Sequence, residues 1–329
     1  MTTTGDPVTH TSTARLFWEQ HACLPLTRQA DVGDILRYRR DGGAFVCVNV
    51  GYAPHTREDS LGFLDDFRRQ IEEHPELGLV GGVDEIDDAH DAGRIVVAFD
   101  LEDSRPLAGD LDMVDTFYDL GVRSLLPTYN TANAAGCGCL DTEDTGLTAW
   151  GRSLVKRMNE VGMLADGSHC SVRTGLDISE MSERPMIYSH SGMKGVWDHA
   201  RNVTDEQARE CAATGGVIGI PGIGIFLGPN VATLDAYIAH IDYAVDLVGW
   251  EHVGIGSDFS FDAEDVQGEL VENPDLFPEE YNRWGVIEFI DPETTVSVEG
   301  ALAERGYPAE AIDGILGGNF RRVAAQVWR

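Results

Sequence analysis

Lysine is almost missing from this chain. Two of its 24 basic residues, Lys156 and Lys194, are lysines, against 56 acidic ones. The formal charge of −32 at pH 7 argues against nucleic acid and anionic membrane surfaces as partners, because both would be repelled. No long acidic block carries that charge. It reads as a well-solvated surface, suited to a salt-adapted or high-GC source, rather than as a binding tail. Long apolar runs are also lacking, and none approaches the roughly 20 residues that span a bilayer. The N-terminal stretch MTTTGDPVTHTSTAR has neither a basic start nor an apolar core, which predicts no secretory signal and a cytoplasmic location. Cysteine is sparse, at positions Cys23, Cys47, Cys137, Cys139, Cys170 and Cys211, with no CxxC pair. Cys137 and Cys139 are too close for an ordinary zinc knuckle, so buried free thiols in a reducing compartment are expected.

What is there is an alternation of apolar runs and amphipathic segments almost from end to end. Strands are expected at 16–23, 44–52, 94–101, 122–129, 163–169, 185–190, 216–222 and 252–259. Helices are expected between them at 32–40, 60–74, 111–120, 147–161, 174–181, 205–214 and 234–248. Eight strands, each followed by a helix and with no composition break, predict one (β/α)8 TIM barrel domain over 1–329. After Phe259 the pattern turns polar, acidic and aromatic over about 260–293, a segment expected to lie over the mouth of the barrel or at a subunit contact. A closing helical region ends in ILGGNFRRVAAQVW.

The ends of these runs carry the chemistry. His169 and His190 each end a short apolar run, twenty-one residues apart, with a helix-length segment between them. That is the spacing of a βαβ unit, which sets both imidazoles at the C-terminal ends of neighbouring parallel strands, where barrel enzymes gather their catalytic groups. Two neutral imidazoles so placed suit a zinc ion. His21 and Cys23, two apart, share one face of the first strand. Glu102 follows the third run, Tyr129 and Asn130 end the fourth, and Asp258 ends the eighth. A single strand-end histidine is more often a hydrogen-bonded structural residue than a ligand. Six of eight strands ending in polar or ionisable groups form the pattern of a barrel hydrolase.

The segments HACLP, LGVRSLLPTYNTAN, GLTAWGRSLVKRMNEVGMLADGSHCS, PMIYSHSGMKGVWDHARNVTDEQ, HVGIGSDF and GGNFRR resemble, in order, those of the membrane (renal) dipeptidase family of zinc peptidases, on an amidohydrolase-like barrel. The resemblance implies zinc, one or two ions, on His21, Glu102 as bridge, His169 and His190. It implies Arg201 as the clamp for a substrate carboxylate, for which a bidentate guanidinium is suited. Asp258 is implied as the proton carrier, and a homodimer is implied with it. The expected activity is hydrolysis of dipeptides or similar small carboxylate-bearing amides by metal-activated water. This chain departs from the family twice. Cys23 stands where the family has an aspartate ligand; it is either a thiolate ligand or a passive thiol. Tyr129 stands where a histidine stabilises the oxyanion, and brings a donor without a positive charge. Tyr129 and Asn130 are expected at the substrate. These departures leave open an N-acyl amino acid or lactone hydrolase, or a catalytically lapsed binding protein, on the same barrel. The loop around Gly136, Gly138 and the two nearby cysteines is expected above the pocket, Asp166 is expected to orient His169 or its loop, and His55, His74, His90, His199, His240 and His252 are expected at the surface or in packing.

Overall fold

The computed structural model describes residues 14–27 and 29–329; the expectation for the N-terminal thirteen residues lies outside them. Its strands are β1 (Trp18–Cys23), β2 (Ala44–Asn49), β3 (Leu77–Leu79), β4 (Ile95–Leu101), β5 (Val122–Leu125), β6 (Leu164–Ala165), β7 (Ile187–Tyr188), β8 (Val217–Ile220), β9 (Val253–Ile255) and β10 (Phe259–Ser260). Every pairing among them is parallel. Hydrogen-bonded order runs β10-β1-β2-β4-β5-β6 and β7-β8-β9. A bridge from Asp166 to Ile187 joins β6 to β7. The eighth stave runs from β9 into β10, whose Phe259 pairs with Ala22 of β1. The ring therefore closes as a (β/α)8 barrel, as the eight apolar runs predict.

The ladders are shorter than those runs. Residues 126–129, 166–169 and 189–190 leave the sheet and build the upper rim. The sequence reading also missed β3 and the helix Val83–Asp91, which fill the stretch between the first expected helix and β4. Their signal is weak: β3 is three residues around a glycine, and that helix buries only Ile86 and Ala89.

Helix ends follow local chemistry. Thr56 with Asp59 and Thr204 with Gln207 form capping boxes at the starts of Arg57–Glu73 and Asp205–Ala213, each satisfying two otherwise unpaired amides. Gly162 ends Ala149–Val161 at φ 95°, a left-handed position that favours glycine.

Alternation along each strand explains where the site lies. In β4, Val96 and Ala98 share a face with Asp100, and Glu102 continues it. Val96 and Ala98 pack with Trp18, Phe45, Cys47 and Phe320 in an apolar layer that fills the lower barrel. Along β2, Phe45, Cys47 and Asn49 lie directly beside Val96, Ala98 and Asp100. The barrel interior is thus hydrocarbon below and carboxylate and amide above. The polar upper layer is affordable only where those groups meet partners.

Above the rim, the segment after β10 forms the helix Ala263–Glu272 and a loop. From it, Val266, Leu270, Phe277, Tyr281, Ile287 and Phe289 turn inward to line a cavity. The expected polar segment is, on its inner side, an apolar wall. No helix among the described residues is long and apolar enough to cross a membrane.

Candidate metal centre and substrate cavities

Three imidazoles converge on one carboxylate oxygen. Nε2 of His21, His169 and His190 lie 3.3, 3.2 and 3.3 Å from Glu102 Oε1. The two ring nitrogens Nε2 of His169 and His190 are 3.0 Å apart. Cys23 Sγ stands 3.4 Å from His21 Nε2 and 3.7 Å from Asp258 Oδ1, and Asp258 Oδ1 is 3.6 Å from His21 Nε2. The structure therefore brings together all five residues expected to hold metal, with Asp258 beside them.

The opposite edge of each ring is held. His21 Nδ1 donates to Asp100 Oδ2 at 3.0 Å. Asn130 donates its amide to Leu276 O, so its oxygen accepts from His169 Nδ1 at 2.7 Å. Ser189 Oγ donates to Ser168 Oγ and accepts from His190 Nδ1 at 2.7 Å. With each Nδ1 committed as donor, the neutral rings of His169 and His190 present their Nε2 lone pairs to the same small volume, and His21 does so once its Nε2 proton leaves. Asn49 donates to the other oxygen of Glu102.

Such a set fits a divalent cation. Glu102, Asp258 and Asp100 surround His21, and no lysine or arginine among the described residues pairs with any of them. Burial disfavours charge on His21, yet Asp100 and Glu102 outweigh it and push its pKa well above the ordinary value; a proton there serves as the missing positive charge. Burial, together with the Arg201 charge, drives His169 down to about 3. Burial drives His190 well below its usual value, with the His21 charge adding to it. Neutral imidazoles, one low-pKa carboxylate and a thiol are metal-binding chemistry, and the hydrogen bonds behind the rings fix the tautomers that binding needs.

Three site residues lie in the left-handed backbone region without being glycine: Asn130 at φ 56°, His169 at 61° and Asp258 at 56°. Each lies within a few residues past the end of a strand, after β5, β6 and β9 respectively. The conformation disfavours side chains with a Cβ, and such strain concentrates at functional sites.

Two cavities meet at His169. The larger, about 1000 Å³, has Cys23, Asn49, Glu102, His169 and Asp258 at its floor, with Tyr52, Tyr129, Ile223, Phe226 and the apolar wall after β10 above. The smaller, about 570 Å³, is polar and carries Arg201, Lys194, Ser191, Asn202 and Cys139. Arg201 is 3% exposed, donates to His190 O at 3.2 Å, and leaves its Nε without a partner. No carboxylate among the described residues pairs with it, although Asp141 and Asp144 also line the smaller cavity.

The ring of Tyr129 stacks on His169, with centroids 4.0 Å apart. Its amide is tied to Asp103 at 3.0 Å, and Asp103 also holds Asn133. Burial first, then Glu102, keeps the phenol protonated well beyond neutral pH.

Several expectations need correction. Asn130 is fully buried behind His169 and lines neither cavity, so its reach to substrate is through the ring it holds. Of the two expected roles for Asp166 the structure shows the second, holding the loop and not the ring of His169: its Oδ1 accepts from the amides of Ser168 and Ser189 and so ties the β6 rim to the β7 rim. Of the glycine-loop residues, Cys139 lines the smaller cavity while Cys137 is buried against Glu143 and Thr145. A Cβ at Gly138 would meet the Asn130 backbone at 2.2 Å. Sequence reasoning missed Asn49, Asp100 and Ser189. The signal for Asp100 was present, since it lies one alternation before Glu102.

This is a barrel of the metal-dependent hydrolase type, with its candidate ligand atoms at the C-terminal strand ends. A model of the membrane dipeptidase family (peptidase family M19) matches residues 27–329, and the chain belongs to that family. It is 28% identical over 301 residues to Dipeptidase 3 of Rattus norvegicus, covering 88% of this chain and 57% of that protein. It is 31% identical over 228 residues to an uncharacterized dipeptidase of Schizosaccharomyces pombe, covering 68% of this chain and 51% of that protein. The chain spans about half the length of the curated relatives it matches. An amidohydrolase from Pseudomonas aeruginosa has the same fold, with a TM-score of 0.86 at 24% identity over 95% of this chain and 97% of that one. A metallopeptidase from Rhodobacter sphaeroides, liganded with a phosphinate mimic of the dipeptide L-Ala-D-Ala, matches with a TM-score of 0.76 at 19% identity over 96% of this chain and all of that one.

Proposed function

We propose that this chain is a zinc-dependent hydrolase that cleaves the amide bond of dipeptides. The observation that carries the reading is the convergence of three imidazole Nε2 atoms on Glu102 Oε1 at 3.2–3.3 Å. His21, Glu102, His169 and His190 would hold the metal. Zinc bound there supplies a polarised carbonyl and a water that ionises near neutral pH.

The remaining steps belong to the protein's own groups. Burial, with Glu102 adding to it against the pull of His21, raises the Asp258 carboxyl to about 7. Asp258 therefore carries a proton near neutrality and faces the cavity where a leaving amine would need one. Arg201 takes the substrate's free carboxylate, since it lines the smaller cavity as a buried guanidinium with no ion-pair partner among the described residues, which an anion would match. Tyr129, at the cavity wall, stacked on His169 and protonated, is a donor for an oxygen gaining charge. The apolar wall accepts the remaining side chain.

The larger cavity's hydrocarbon lining also favours a second reading, hydrolysis of N-acyl amino acids. The test is a panel of free dipeptides and N-acyl amino acids offered to zinc-loaded protein, with Glu102→Gln as control. Dipeptide turnover that falls by about a thousandfold or more in the variant supports the main reading. Turnover confined to blocked amines selects the second. Absence of turnover on either set contradicts both.

A further inference from the structure

We propose that Cys23 is a metal ligand, so that the cluster offers two unlike metal positions. A softer one is formed by His21, Cys23 and Glu102, and a harder one by Glu102, His169 and His190. The inference rests on the metal-centre reading above and adds an inequality that it does not require.

The first argument is register. β1 pairs with β2 as Trp18↔Phe45 and Glu19↔Val46, then shifts so that Ala22 meets Val48. The irregularity turns His21 and Cys23 together toward the barrel axis, where strict alternation from Trp18 would point His21 outward. The second is distance. One ligand atom from each of His21, Cys23 and Glu102 lies within 4.8 Å of the others, and the same holds for Glu102, His169 and His190. Glu102 is common to both groups. The third is placement. Four of the six free cysteines are buried, whereas Cys23 is partly exposed and lines the large cavity.

A competing assignment exists in the same atoms. Cys23 Sγ, His21 and Asp100 lie in line, at 3.4 and 3.0 Å, as a nucleophile, a base and an orienting carboxylate would. The geometry disfavours it. His21 Nε2 faces Glu102 Oε1 at 3.3 Å and Asp258 Oδ1 at 3.6 Å as well as the sulfur. A base serving one thiol needs one partner on that edge; a cation needs several. A thiolate in the first position favours zinc or cobalt over hard cations, while a position of imidazoles and carboxylate also admits harder ions. On coordination the thiol releases its proton to solvent.

Cobalt(II) reads this directly. Full-length protein is stripped with a chelator and titrated with cobalt(II) alone, following near-ultraviolet absorption and bound metal per chain. The expected result is two equivalents, one accompanied by a thiolate-to-cobalt charge-transfer band. Cys23→Ser should lose the band and weaken one equivalent by about tenfold or more, leaving the other in place. Cys23→Asp should bind two equivalents without the band, which also shows that the fold survives substitution. Two bound cobalt ions with no band, or a band that persists in Cys23→Ser, overturns the inference and leaves the hydrolase reading standing. No cobalt bound at all overturns both.

Discussion

His169 and Asn130 are joined by a 2.7 Å hydrogen bond between Nδ1 and Oδ1, and both residues occupy the left-handed backbone region. Two strained rim positions on different staves therefore lock each other, and the lock sets which edge of the imidazole faces Glu102. Asn130 is suited to this because asparagine tolerates the conformation better than most residues with a Cβ, and because its amide group is committed to Leu276 O, which leaves its oxygen for the ring.

Replacing Asn130 with alanine removes the acceptor and keeps the strained backbone. We expect metal affinity to fall by about 10- to 100-fold, the usual effect of removing a group that orients a ligand. Asn130→Asp keeps the acceptor and the backbone preference but loses the donor to Leu276 O, so its metal affinity should fall, though less than that of the alanine variant. Competition with a chromophoric chelator measures both. Equal losses in the two variants would refute the orienting role.

Arg201 leads to a prediction about substrates. A buried guanidinium that lines the smaller cavity without an ion-pair partner among the described residues should bind a carboxylate through charge-assisted bonds worth about 1.5–3 kcal/mol. Arg201→Ala should raise KM for free dipeptides by about 10- to 100-fold. C-terminally amidated dipeptides, poor substrates of the wild type, should be nearly unaffected. Steady-state kinetics on both substrate forms checks this, and parallel losses on the two would remove Arg201 from the carboxylate's site.

Phe277 packs edge-on against Tyr129, with centroids 6.1 Å apart, and lines the larger cavity. Phe277→Ala should lower kcat/KM for dipeptides with a large apolar N-terminal residue by about tenfold, and for those beginning with glycine far less. The loss is one of side-chain burial, worth about 1–3 kcal/mol for a small group in an apolar pocket. A uniform loss across the panel would place the effect elsewhere.

His240 gives a pH dependence of stability that is separate from the metal centre. Its Nδ1 accepts from the Met193 amide at 2.8 Å and its Nε2 donates to Leu227 O, the pattern of a neutral ring. Burial lowers its pKa to about 4, against the raising effect of that last bond. The unfolded chain takes up the proton first, near 6.5. The stabilising contribution is thus complete above that pH and is lost as pH falls toward 4, by on the order of 3 kcal/mol at 1.36 kcal/mol per pH unit. Urea unfolding at pH 7 and pH 4.5 should show the loss in the wild type and a smaller one in His240→Gln. Equal pH dependence in both would contradict the assignment.

How far the sequence reveals this molecule depends on the range of the interaction. The eight staves are legible because each is a local apolar run, and the residues of the candidate metal centre are legible because they end those runs. The groups behind them are not. Asn49 lies beside Asp100 by strand register alone, and Ser189 holds the ring of its own neighbour. Asp166 looks like a partner for His169 because it is close in sequence. The left-handed turn at His169 gives that ring to Asn130, thirty-nine residues earlier, and a short carboxylate three residues back reaches the rim amides. The wall after β10 hides in a segment whose composition is polar although its inner face is not.

The account depends on a cation shared by His169, His190 and Glu102. Anomalous scattering collected at the zinc edge, from crystals of protein loaded with zinc and then dialysed, tests it most directly. We predict a peak within bonding distance of Nε2 of both histidines and of Glu102 Oε1, lost in His169→Ala. A well-ordered cluster with no anomalous peak, or a peak away from these three atoms, would contradict it.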